Sequence, residues 1–95
     1  MKVQVRVLVT SKQVIRNQTF EIEFSGLLTV AELLRMLPLE EEERHQIFQR
    51  KDREVVLRPG LAILINGENV TFRNGLQTLI ADGDRISIVH ALGGG

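Results

Sequence analysis

The 95-residue chain has no cysteine, no tryptophan and no tyrosine. Without cysteine there is no disulfide framework, no thiolate nucleophile and no thiolate zinc site. With only four phenylalanines as aromatic groups, platforms for stacking nucleic-acid bases are scarce. An excess of one charge is missing too: twelve basic and twelve acidic residues cancel. No global positive field therefore draws in nucleic acid or an anionic membrane. Long apolar runs are absent as well. The longest, Leu61–Ile65, is far short of a membrane span. The opening MKVQVRVLVT alternates polar and apolar residues, unlike the solid apolar centre of a secretory signal. The expected location is the cytoplasm. No phosphate-binding P-loop, nucleophile elbow or His-Glu-x-x-His motif occurs. His45 and His90 fall on different predicted elements with no third ligand, so no metal site is expected.

What is present is one ordinary globular domain, 43% apolar and 25% charged. Val3, Val5, Val7 and Val9 share one parity, with Lys2, Gln4, Arg6 and Thr10 on the other; Leu8 is the apolar exception. That is a half-buried strand. Ser11–Gln18 reads as a turn. Phe20, Ile22 and Phe24 then alternate with Thr19, Glu21 and Glu23 in a second strand, making a hairpin. The period changes after Thr29. Thr29 and Glu32 have capping-box spacing, and Val30, Leu33, Leu34 and Leu37 form one helical face. Pro38 stops that helix. Glu40–Glu43 early and Arg50 and Lys51 late suit the dipole of a second short helix. The segment REVVLRPG reads as a short strand closed by Pro59-Gly60. Leu61, Ile63 and Ile65 line the inner side of the next strand, which ends in the hairpin signal Asn66-Gly67. NVTF follows, then a turn at Asn74-Gly75, short apolar residues Leu76, Leu79 and Ile80, and a turn at Asp82–Asp84. Ile86 and Ile88 face inward on the last strand. The fold class is α+β: a small mixed sheet packed on one main helix, with a short additional helix. Residues 1–90 form the domain and 91–95 a flexible glycine tail.

The tail is the one place where chemistry can reside. Its carboxylate is ionised at neutral pH. A carboxylate is a poor electrophile, so it reacts only after attachment to phosphate by an enzyme that uses a nucleotide. Glycine suits a chain that must be threaded through a narrow channel, because it has no side chain to clash. Ordering Ala91–Gly95 opposes binding by roughly 5–10 kcal/mol. The folded body must therefore supply binding surface near the tail. Leu8, Val89, Ala62 and Leu64 all fall on the outward parity of their strands and form a candidate apolar partner patch. Leu92 is the candidate anchor within the tail.

LRPGLAILINGENV, with its Asn66-Gly67 turn, and LIADGDRISIVHALGGG, with an aspartate-rich turn, an apolar strand and terminal glycines, resemble the β-grasp sulfur carriers and ubiquitin-like modifiers. The small subunit of molybdopterin synthase and the small archaeal modifiers are the members most alike. The resemblance implies a β-grasp fold and a protein that is not itself an enzyme. An E1-like enzyme would use ATP to adenylate the carboxylate of Gly95, and sulfur would replace the adenylate to give a thiocarboxylate. Gly93 and Gly94 would be threading residues. No cofactor would be bound. The partners implied are the E1-like enzyme and either the large subunit of molybdopterin synthase or lysines of target proteins. The sulfur would go to molybdopterin, thiamine or tRNA; conjugation to a lysine is the alternative. Two departures stand. The family ends in two glycines and this chain in three, so Gly94 becomes the reactive end if the last residue is trimmed. The proline frequent before the tail is replaced by His90 and Ala91. A third reading is an interaction module whose glycine tail is incidental.

Overall fold

The computed structural model describes residues 1–10 and 15–90. Strand β1, Lys2–Thr10, buries Val3, Val5, Val7 and Val9 and leaves Lys2, Gln4 and Arg6 exposed, as the period-two pattern requires. It pairs antiparallel with β2, Ile15–Glu23, in a register from Lys2↔Glu23 to Thr10↔Ile15. Val3 opposes Ile22 and Val5 opposes Phe20, which places these apolar residues on one face. The expected turn at 11–18 is thus corrected: residues 15–18 are strand. Residues 7–10 of β1 would otherwise present unpaired backbone groups on this side, and β2 satisfies them. Because β2 is an edge strand, polar Asn17 and Gln18 are tolerated there.

Helix α1, Val30–Met36, is fixed by the capping box read from the sequence. Thr29 Oγ1 accepts from the Glu32 amide at 3.2 Å, and Glu32 Oε1 accepts from the Thr29 amide at 3.2 Å. Leu37 then turns extended at φ −61° and ψ 134°, the conformation a following proline imposes. Leu33, Leu34 and Leu37 are fully buried. Each contributes about 1.5–3 kcal/mol of burial.

Helix α2, Glu41–Ile47, carries Glu41, Glu42 and Glu43 in its first turn. It ends earlier than the charge pattern predicts. Arg50 and Lys51 lie not on the helix but on β3, Phe48–Lys51, which pairs antiparallel with β4, Glu54–Leu57. Phe48 and Val55 both reach the core, and this burial outweighs one more helical turn. The turn between the strands is Asp52-Arg53, at φ 50° and 70°. Arg58 binds the hairpin back to α2: its amide donates to the Ile47 carbonyl at 2.9 Å and its Nε to the His45 carbonyl at 2.6 Å.

Strand β5, Leu61–Ile65, turns through Asn66-Gly67, both at positive φ, into β6, Glu68–Asn69. NVTF does not extend β6. Asn69 Oδ1 caps a 3-10 turn at Val70–Phe72, and a second 3-10 turn spans Gly75–Gln77. Buried Thr78 is satisfied locally: its hydroxyl donates to the Gly75 carbonyl at 2.7 Å and accepts from the Asn74 amide at 3.1 Å.

Strand β7, Arg85–His90, enters the middle of the main sheet, whose order is β2-β1-β7-β5-β6. It runs parallel to β1 and antiparallel to β5. The Asp82–Asp84 turn sets that register. Asp82 Oδ1 accepts from the Lys2 amide at 2.7 Å, and the Gly83 amide donates to the Lys2 carbonyl at 2.7 Å. One sheet face buries Val5, Val7, Ile63, Ile65, Ile86 and Ile88 in a common core with α1. A helix laid on a mixed sheet with a central parallel pair is the β-grasp arrangement that the resemblance implies.

Candidate functional site

The opposite sheet face carries no helix-facing residues, and there the candidate patch assembles. Leu8 on β1 stands opposite Val89 on β7, which stands opposite Ala62 on β5. One register row thus holds three apolar side chains from three strands. Leu64 sits in the next row, across from Ser87, with Arg6 on the other side of Ser87. The four apolar residues are half-buried rather than fully exposed, because they shield one another on a continuous sheet surface. The result is a narrow apolar strip across the centre of the sheet.

The strip has a polar border that sequence reading missed. Gln4, Arg6, Asn17, Thr19, Arg85 and Ser87 line a shallow groove beside it on the same face. Parity was the available signal: Arg6 shares the outward positions of Leu8, and Arg85 those of Val89. Position along the chain matters as much. Val89 is one residue before His90, where β7 ends and the segment toward the glycines begins. Any protein covering the strip therefore lies beside the start of that segment. Ala91, Leu92, Gly93, Gly94 and Gly95 lie outside the described residues.

Other chemistry is sparse. His45 is on α2 and His90 at the end of β7. Among the described residues no three His, Cys, Asp or Glu side chains come together to hold a metal ion. Nor is any helix long and apolar enough to cross a membrane. Lys2 lies 3.2 Å from Glu21 and 3.9 Å from Glu23. The hydrogen bond to Glu21, and then the charges of both carboxylates, hold its ammonium above the ordinary lysine pKa.

Comparison with known proteins agrees with this arrangement. The model of the ThiS family matches residues 5–95. A putative sulfur carrier protein of Archaeoglobus fulgidus is 35% identical over 68 residues, covering 72% of this chain and 75% of the relative. Small archaeal modifier protein 3 of Haloferax volcanii is 26% identical over the whole of both chains. The solution structure of small archaeal modifier protein 1 from Methanosarcina acetivorans superposes with a TM-score of 0.63 at 26% identity, covering 100% of this chain and 99% of that one. With a family match across nearly its full length and a β-grasp sheet to carry it, the chain belongs to the ThiS family, as a carrier protein of the sulfur-carrier and small-modifier kind rather than an enzyme.

Proposed function

We propose that the protein carries sulfur as a C-terminal thiocarboxylate at Gly95, formed on an E1-like enzyme. The observation that carries this reading is the apolar row Leu8–Val89–Ala62, set one residue from the end of the strand that leads to the glycines. In the proposed sequence an oxygen of the Gly95 carboxylate attacks the α-phosphorus of ATP and pyrophosphate leaves. A sulfur nucleophile then attacks the acyl carbon and AMP departs. The carrier's own part is binding and delivery. Covering the strip supplies apolar contact that offsets the roughly 5–10 kcal/mol of ordering a five-residue tail. Leu92 anchors the tail, and Ala91, Gly93 and Gly94 pass through the enzyme's channel. The reading puts the protein in the cytoplasm, with no bound cofactor of its own. The sulfur goes on to molybdopterin with the large synthase subunit, or to tRNA.

Intact-mass measurement tests this directly. Incubation with an E1-like enzyme, ATP and a sulfur donor adds the mass of one oxygen-to-sulfur exchange. A variant with one residue added after Gly95 stays unmodified. An unchanged mass of the native chain, with the same enzyme active on another carrier, overturns the reading.

Full-length similarity to small archaeal modifier protein 3 favours a second use of the same activated end. A lysine amine in place of sulfur would give an isopeptide bond. The last basic residue is Arg85, so trypsin would leave Ile86–Gly95 on the target lysine. Conjugate-enriched extract searched for that branched remnant decides the matter, and finding none removes this second use.

A further inference from the structure

We propose that the groove between α1, α2 and the β3–β4 hairpin binds an acidic peptide segment of a partner protein. The groove encloses about 840 Å³ and is lined by Arg35, Arg44, Arg50, Arg58, His45 and Glu41. In a chain whose charges cancel, four arginines and one glutamate line this groove.

Two of the arginines are held in place by backbone. Arg44 Nη2 donates to the Leu37 carbonyl at 3.1 Å, and Arg58 Nε to the His45 carbonyl at 2.6 Å. Each spends one of its five donors in this way. Arg44 Nε is buried without a hydrogen-bond partner. Arg35 and Arg50 are exposed, and among the described residues their guanidiniums have no partner. Four like charges lining one groove, with donors to spare, are complementary to anions. That all four are arginine narrows the ligand to a planar oxyanion gripped by a fork.

A carboxylate-bearing peptide fits better than nucleic acid. Single strands bind through stacked aromatic platforms; the groove is lined by neither tryptophan nor tyrosine, and its one phenylalanine, Phe48, is 8% exposed. A duplex needs a basic track longer than this hollow, whose volume suits a few peptide side chains. The groove borders α1 on the core side of the sheet and the apolar strip is on the sheet's other face, so both can be filled at once. A partner could hold the body by an acidic segment while an enzyme holds the sheet face and tail. The inference is independent of the carrier reading.

The test is fluorescence anisotropy of a labelled short poly-glutamate peptide titrated with the full chain at low salt. Binding is expected to saturate, and to weaken by at least about tenfold in the Arg35→Gln/Arg50→Gln variant, which loses charge-assisted hydrogen bonds. Among the described residues these two side chains hold no backbone hydrogen bond, so the variant should keep its fold, as its circular dichroism melt will show. Leu8→Asp should bind as the native chain does. Amide shifts in NMR should fall within residues 35–58. Absence of saturation, binding that survives the double variant, shifts at the apolar strip, or tighter binding of an oligothymidylate of equal length would each overturn the proposal.

Discussion

Val89 shows how much one residue's parity decides. Ile88 before it is fully buried, whereas Val89 faces out between Leu8 and Ala62. Val89→Asp should therefore keep the fold but place a charge at the centre of the proposed contact. We expect KM for the activating enzyme to rise by roughly tenfold or more with kcat little changed, since binding is lost equally in ground and transition states. Steady-state activation assays check this. Thr29 acts on the fold alone. Thr29→Ala removes the cap of α1 and should lower stability by about 1 kcal/mol in urea unfolding. Lys2 makes a prediction about reactivity. Its pKa is raised, so the support it gives to folding is present below the unfolded lysine pKa and fades only as pH climbs through the higher folded value. At alkaline pH acylating reagents should modify Lys2 faster in the Glu21→Gln variant than in the native chain, because the variant loses the hydrogen bond and charge that hold the ammonium protonated. Peptide mapping by mass spectrometry gives both rates.

At the scale of elements, two hairpins make an instructive pair. Asn66-Gly67 announces its turn, because both residues tolerate positive φ. Asp52-Arg53 adopts the same kind of turn with an arginine in place of the usual glycine, and Arg53 sits at φ 70°. An L side chain there costs roughly 1–2 kcal/mol. Arg53→Gly should raise the stability of the chain by up to about 1 kcal/mol, read from the urea midpoint. The same strain explains why β3 was illegible. Nothing local marked the turn, and the charges of Arg50 and Lys51 completed a helical pattern that Arg44 and His45 already satisfy. The first half of β2 was hidden differently: an edge strand needs few apolar residues, so Asn17 and Gln18 read as loop. Legible elements were those whose pattern coincides with burial: β1, α1 with its capping box, β5 and β7. The patch was legible residue by residue from outward parity. Its assembly into a single row was not, because that depends on β7 inserting between β1 and β5, a fact of topology rather than spacing. The arginine groove was out of reach for a related reason. Its lining spans Arg35 to Arg58 and needs the unforeseen β3–β4 hairpin to close it.

On the scale of the whole molecule, stability is separate from the proposed reactivity. Among the described residues every buried hydrophobic residue lies between Val3 and Ile88. Deleting Gly94 and Gly95 should leave the unfolding midpoint unchanged and abolish thiocarboxylate formation, whereas Leu33→Ala should cost 2–5 kcal/mol, as emptied core positions do. The central parallel pair carries one consequence more. β1 begins, and β7 ends, at opposite edges of the molecule, with their backbones hydrogen-bonded side by side. A pull on the tail against a chain held by its N-terminus loads that ladder lengthwise, so its bonds must fail together rather than one after another. The fold thus resists traction along the direction in which, on the proposed function, an enzyme would draw the glycines in, and the body can be tugged by that end without being undone.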